Sequence, residues 1–164
     1  MKAFIVNDIR TFMAGLLNGT LFKGWEFRSL EAGLISHVSI DGKINRPYLT
    51  EEERNARQGN YLLWDEIQPK VKMLIQGGHT PSSLSLTMAI PPERITDAPA
   101  DSVESYQLNI RFETTDESGN ARTRLMLVTG VSTKTFSMDK TPDRVWDQKV
   151  PEYFRIKGLL LEEA

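Results

Sequence analysis

The chain has 164 residues, with 20 basic against 22 acidic side chains and no cysteine. That length suits one domain spanning 1–164, with a core large enough to need no disulfide or metal staple. A formal charge of −2 excludes a globally basic nucleic-acid binder, and the missing cysteines exclude thiol catalysis, thiolate-held zinc and iron–sulfur clusters. The first ten residues carry only a short apolar stretch before Asn7 and Asp8. This is too little for a signal-peptide core, and no run reaches the ~18 apolar residues of a membrane span. The expectation is a cytoplasmic protein with no membrane contact.

Residues 7–18 predict a helix, with Asn7 as its cap. Ile9, Phe12, Met13, Leu16 and Leu17 recur at i, i+3, i+4, i+7 and i+8, and Asn18-Gly19 offers a left-handed stop. Residues 25–31 and 34–40 read as strands; in the second, Val38 and Ile40 alternate with His37 and Ser39. Asp41-Gly42 is a turn signal, with Ile44 opening a short return strand. Thr50 and Glu53 have capping-box spacing for a short polar helix. After Gly59-Asn60, Trp64, Ile67, Val71, Leu74 and Ile75 form a helical stripe that Pro69 should kink or restart and Gly77-Gly78 should end.

From Ser82 the period changes to two: Leu84, Leu86, Met88 and Ile90 mark one strand face. Residues 91–103 form a proline-rich loop. Alternation returns at 106–112, and 122–132 runs back after a hairpin loop at 116–120. Leu125 to Val128 are all apolar, which predicts cover on both faces there. Thr141 then caps a last helix with Pro142 in its first turn, and Val145, Trp146, Val150, Tyr153 and Phe154 form its core face. Pro151 should kink or break that helix, and the tail at 159–161 should pack or pair. The elements give an α+β fold: an antiparallel or mixed sheet of about five strands with three to four helices packed on it. Trp64, Ile67, Val71, Leu74, Leu108, Ile110, Leu125, Leu127 and Trp146 are expected in one core cluster.

Several short motifs carry a family likeness. They are Phe12 with Leu16-Leu17, Phe22-x-x-Trp25, Ile40-Asp41-Gly42, Trp64-x-x-Ile67-x-Pro69, Leu74-Ile75-x-Gly77, Thr80-Pro81-x-Ser83, and Ser137-x-Asp139-Lys140 ahead of Trp146-Asp147. Through them the chain resembles a family of uncharacterised bacterial proteins from Gram-positive anaerobes, known only as a domain of unknown function. The resemblance implies no established activity and no catalytic residues.

The residues alone offer few sites. Only His37 and His79 exist, on elements that nothing brings together, so a metal centre is not expected. Asp41 to Glu52 imitates a calcium loop, but Lys43 occupies a ligand position and Arg46 the position where glycine is needed. Ser137-x-x-Lys140 matches a serine acyl-enzyme pattern without its companion motifs; a cap before the last helix explains it. Gly77-Gly78 lacks either phosphate-cradling pattern and follows a helix. Trp25, Trp64 and Trp146 either fill the core or line a helix–sheet pocket.

More weight falls on Arg111, Arg122 and Arg124, which hairpin pairing would place on one sheet face. Guanidinium forks there would suit a carboxylate, a phosphate or an acidic partner surface, with Glu113, Asp116 and Glu117 as the neutralising alternative. Together with His37 they are the candidate ligand- or partner-binding residues; no catalytic residue and no cofactor is assigned. The leading reading is a non-enzymatic cytoplasmic binding or interaction domain that pairs into a homodimer, its other partner an unknown protein or small molecule, with nucleic acid disfavoured. The rival is a small enzyme with a carboxylate/His site in a helix–sheet pocket.

Overall fold

The strands are β1 (Ala3–Val6), β2 (Glu26–Gly33), β3 (His37–Asp41), β4 (Ser83–Ile90), β5 (Val103–Glu117), β6 (Asn120–Thr133) and β7 (Leu161–Glu163). The helices are α1 (Ile9–Leu17), α2 (Glu51–Ala56), α3 (Trp64–Ile75) and α4 (Thr141–Ile156). This is a computed structural model describing residues 1–98, 100–117 and 119–164. All strands join one antiparallel sheet in the order β3-β2-β4-β5-β6-β1-β7. The sheet therefore has seven strands rather than about five. Alternation cannot be read over the four residues of β1 or the three of β7. They become strands because β1 pairs on one side with β6 and on the other with β7.

The period-two pattern sends Tyr106, Leu108, Ile110 and Phe112 to one side of β5, where they meet Leu84, Leu86 and Met88 of β4 and Leu125 and Leu127 of β6. On that face lie Phe12 and Leu16 of α1, Trp64, Val71 and Ile75 of α3, and Trp146, Val150 and Phe154 of α4, all in one buried cluster. An aromatic chain threads it: the Phe22 ring lies 5.9 Å from Phe12 and 5.1 Å from Trp25, and Trp146 lies 5.4 Å from Tyr106. The expected core holds except at Leu74, which is 44% exposed; Ile67 packs at its edge. Leu74 sits just before the end of α3 on the side away from the sheet, where Val71 and Ile75 already complete the contact.

Local details depart from expectation where tertiary contacts take over. Asp8, not Asn7, caps α1, its carboxylate accepting from the Thr11 N–H at 3.2 Å. The helix does not end in a left-handed residue: Asn18 has φ −121°. Instead the Leu16 carbonyl accepts from Trp64 Nε1 at 3.0 Å and from Gln68 Nε2 at 2.8 Å, and Gln68 also reaches the Gly19 carbonyl. Side chains of α3 thus satisfy the last carbonyls of α1. Helices α3 and α4 each run through their proline unbroken, because an aromatic and aliphatic face on both sides of Pro69 and Pro151 outweighs one missing hydrogen bond. Lys140, rather than Thr141, is the N-cap of α4 and makes no side-chain cap bond; just before it Asp139 accepts from the Thr141 N–H at 2.9 Å.

Ile44 opens no return strand. Gly42 instead passes against a bulge in β2 at Arg28, donating to the Arg28 carbonyl at 2.9 Å. A Cβ at Gly42 would lie 2.0 Å from the Phe27 carbonyl oxygen, so only glycine permits this approach. Beyond it Lys43 bridges Tyr61, and the Leu62 and Trp64 N–H groups bond back to Gly42 and Trp25. The 91–103 loop begins with a 3-10 turn at Pro92–Arg94. Pro99, Ser118 and the side chains of Asp116 and Glu117, on which parts of the loop and hairpin expectations rest, lie outside the described residues. No helix among the described residues is long and apolar enough to cross a membrane.

Trp64 is 1% exposed, so Trp64→Ala should lower unfolding free energy by about 3–5 kcal/mol, measured as a urea midpoint shift. A second test concerns the approach of α2 to α3, where Arg57 Nη2 lies 2.7 Å from Glu66 Oε1. That hydrogen bond, helped by the Leu63 N–H, holds the Glu66 carboxyl below its ordinary value against an opposing push from burial. The pair's stabilisation is present above the unfolded carboxylate pKa and is lost as pH falls through the folded one. Glu66→Gln should therefore flatten the decline in stability between about pH 5 and pH 3, read from urea midpoints at each pH.

Candidate functional site

Residues paired across antiparallel strands share a face, so the register defines what the helix-free side presents. One row runs His37, Gly33, Ser83, Glu113, Arg124 across β3, β2, β4, β5 and β6. The next runs Ser39, Glu31, Ser85, Arg111, Met126, Ile5, and a third runs Asp41, Ser29, Thr87, Asn109, Val128, Ala3. Arg122 stands opposite Thr115 on the same side. The exposed or half-exposed state of these residues marks a face that no helix covers. Leu125 to Val128 are accordingly not covered on both sides: Leu125 and Leu127 are buried under the helices, while Met126 and Val128 are half-exposed.

Arg111, Arg122, Arg124 and His37 all belong to this uncovered face. His37 and Arg111 border a depression of about 250 Å³ together with Glu31, Ser83, Ser85 and Glu113. Beside it Gly33 admits no side chain, since a Cβ there would sit 2.5 Å from Ser82 Oγ and 2.8 Å from Ser83 Oγ. Arg111 and Arg124 flank Glu113 without reaching ion-pair distance of it. Toward β1 the face becomes apolar, with Ala3 and Ile5 beside Val128 and Met126. The sequence reading missed this stripe because half of it lies on the short strand β1.

The two histidines do not converge. His79 follows α3 and borders a separate hollow with Ile9, Arg10 and Met13. No three histidine or carboxylate groups among the described residues stand close enough to share a metal ion. Asp41 accepts from the Lys43 N–H at 2.9 Å, and Ser137 from the Asp139 N–H at 3.1 Å; both are local turns.

On the helix side a cleft of about 370 Å³ lies between α4 and the end of β4. Trp25 and Trp146 line it, with Tyr153, Ile90, Ile95, Ile156, Arg94, Lys149 and Glu152. All three tryptophans belong to the buried core, and Trp25 and Trp146 sit where it borders this cleft. The cleft contains a carboxylate in Glu152 but neither histidine, so a carboxylate/His pair is not assembled there. Arg94 comes from the proline-rich loop, where no periodicity announces a site.

A one-sided antiparallel sheet, with a mixed polar and apolar face on one side and helices on the other, defines a two-layer α+β domain. The chain belongs to a family of unknown function (DUF5721), whose model matches residues 15–162. No curated protein and no solved structure matches it.

Proposed function

We propose that this is a non-enzymatic binding domain that pairs with a second copy of itself through the uncovered sheet face, and that it is a cytoplasmic protein of bacterial, Gram-positive anaerobic origin. The observation that carries the pairing is the apolar stripe of Ala3, Ile5, Met126 and Val128 lying beside a field of both charges, Arg111 and Arg124 with Glu113 and Glu31. A copy turned by a two-fold axis lays apolar stripe on apolar stripe and sets guanidinium forks against carboxylates. Size supports the reading. Seven strands at ~4.8 Å span roughly 29 Å, and the residues of three pairing rows give a face approaching the ~800 Å² per partner of a stable interface.

Sedimentation equilibrium at micromolar concentration tests it. The wild type should sediment at twice its 18.6 kDa chain mass, and the double substitution Ile5→Lys, Met126→Lys should sediment at the single chain mass with an unchanged far-ultraviolet circular dichroism spectrum. A wild-type monomer, or a folded double variant that stays dimeric, overturns the proposal.

A further inference from the structure

The cleft beside α4 opens where the aromatic core reaches the surface. The Trp25 ring lies 6.0 Å from Trp146 and 5.4 Å from Tyr153; the two indoles are nearly buried at its base, and Tyr153 is half-exposed. Ile90 and Ile95 add to the apolar wall. At the rim Ile156 is 75% exposed. The volume, about 370 Å³, falls within the ~300–1,000 Å³ of small-molecule sites, whose usual make-up is apolar walls with a few placed polar groups.

The charged groups at this rim are not equivalent. Lys149 Nζ lies 2.6 Å from Asp97 Oδ2, and Glu152 adds its charge to the same ammonium. Arg94 is in no ion pair among the described residues. Its guanidinium lies against the chain at Gly24, with Nη2 3.0 Å and Nη1 3.7 Å from the point a Cβ there would occupy. Gly24 has φ +78°, a conformation side chains disfavour, so the bare backbone that seats Arg94 is set by the turn into β2. Tyr153 donates its hydroxyl hydrogen to the Leu21 carbonyl. Burial pushes its pKa up, so it stays neutral at pH 7 and offers Arg94 no phenolate.

We propose that this cleft binds a small organic anion of the aromatic carboxylate class, its flat body against Tyr153 and Ile156 and its carboxylate on the Arg94 fork. A seated guanidinium with spare donors suits a planar carboxylate, and the half-exposed Tyr153 ring beside Ile156 suits a flat apolar body. With Lys149 held by Asp97, a cationic ligand of the same shape that sets its charge at Arg94 binds more weakly than the anion. Glu152, the carboxylate in the lining, lies beside Lys149 rather than on Arg94.

Three probes of one shape decide it: 2-naphthoate, 2-naphthalenemethanol and 2-naphthylmethylammonium, followed by tryptophan fluorescence and by calorimetry. Naphthoate should quench saturably with one site per chain, at least tenfold more tightly than the alcohol, and the ammonium should bind more weakly still. Arg94→Gln should abolish the preference for naphthoate over the alcohol, and Ile156→Glu should weaken naphthoate at least tenfold. Both positions are exposed, and thermal unfolding checks that each variant is folded. Equal affinity for naphthoate and the alcohol, no saturation up to millimolar probe, or wild-type naphthoate binding by Arg94→Gln overturns the proposal. The cleft lies on the helix side, so this result is independent of whether the sheet faces pair.

Discussion

Three helices can blanket only one face of a seven-stranded sheet, and the whole molecule follows from which face they take. Their aromatic side chains converge on the inward rows of β4, β5 and β6, and Trp146 fastens α4 to the sheet by donating from its Nε1 to the Gln107 carbonyl at 2.7 Å. Helix α1 is held to α3 by the two hydrogen bonds on the Leu16 carbonyl. Each helix is therefore fixed by a specific polar contact inside an otherwise apolar layer, where an unmade bond would be costly. The consequence on the other side is a sheet surface that must meet water or a partner unaided.

That division also separates the two surfaces with chemical character. The sheet face is broad, shallow and of mixed charge, which fits an extended partner better than a small molecule. The cleft is narrow and aromatic, with a single arginine unclaimed by a carboxylate. Their walls come from different elements: the depression beside His37 and Arg111 is built from strands alone, whereas the cleft needs α4, the turn before β2 and the loop after β4. A change that remodels one need not disturb the other.

Much of this was legible in the sequence where long elements repeat. The alternation at 83–90, 106–112 and 122–132 showed which way each side chain faces, and with hairpin pairing it gathered Arg111, Arg122 and Arg124 on one side, as the register does. The helical stripes placed Trp64 and Trp146 in the core. What could not be read was anything decided by distant contacts. The short strands β1 and β7 have too few residues to show a period, and the end of α1 is satisfied by Gln68, some fifty positions away, rather than by its own glycine. Pro69 read as a kink or restart and Pro151 as a kink or break; both helices continue through them, since local rules count the lost hydrogen bond but not the packing on either side. Arg94 gave no signal at all, because its place depends on a backbone turn at Gly24 that comes from another part of the chain.

The position of β1 in the strand order carries a kinetic implication. Its neighbours are β6 and β7, so its contacts close loops of well over a hundred residues, while β2 with β3 and β5 with β6 are hairpins that form locally. Loop-closure entropy makes such long-range docking a late event. Until β7 seats against it, β1 has one free edge, and Phe4 and Val6, nearly fully buried in the folded core, wait for the rest of that core to assemble. Because both pairing partners follow β1 in sequence, its two edges stay open until the chain that supplies β6 and then β7 has been made.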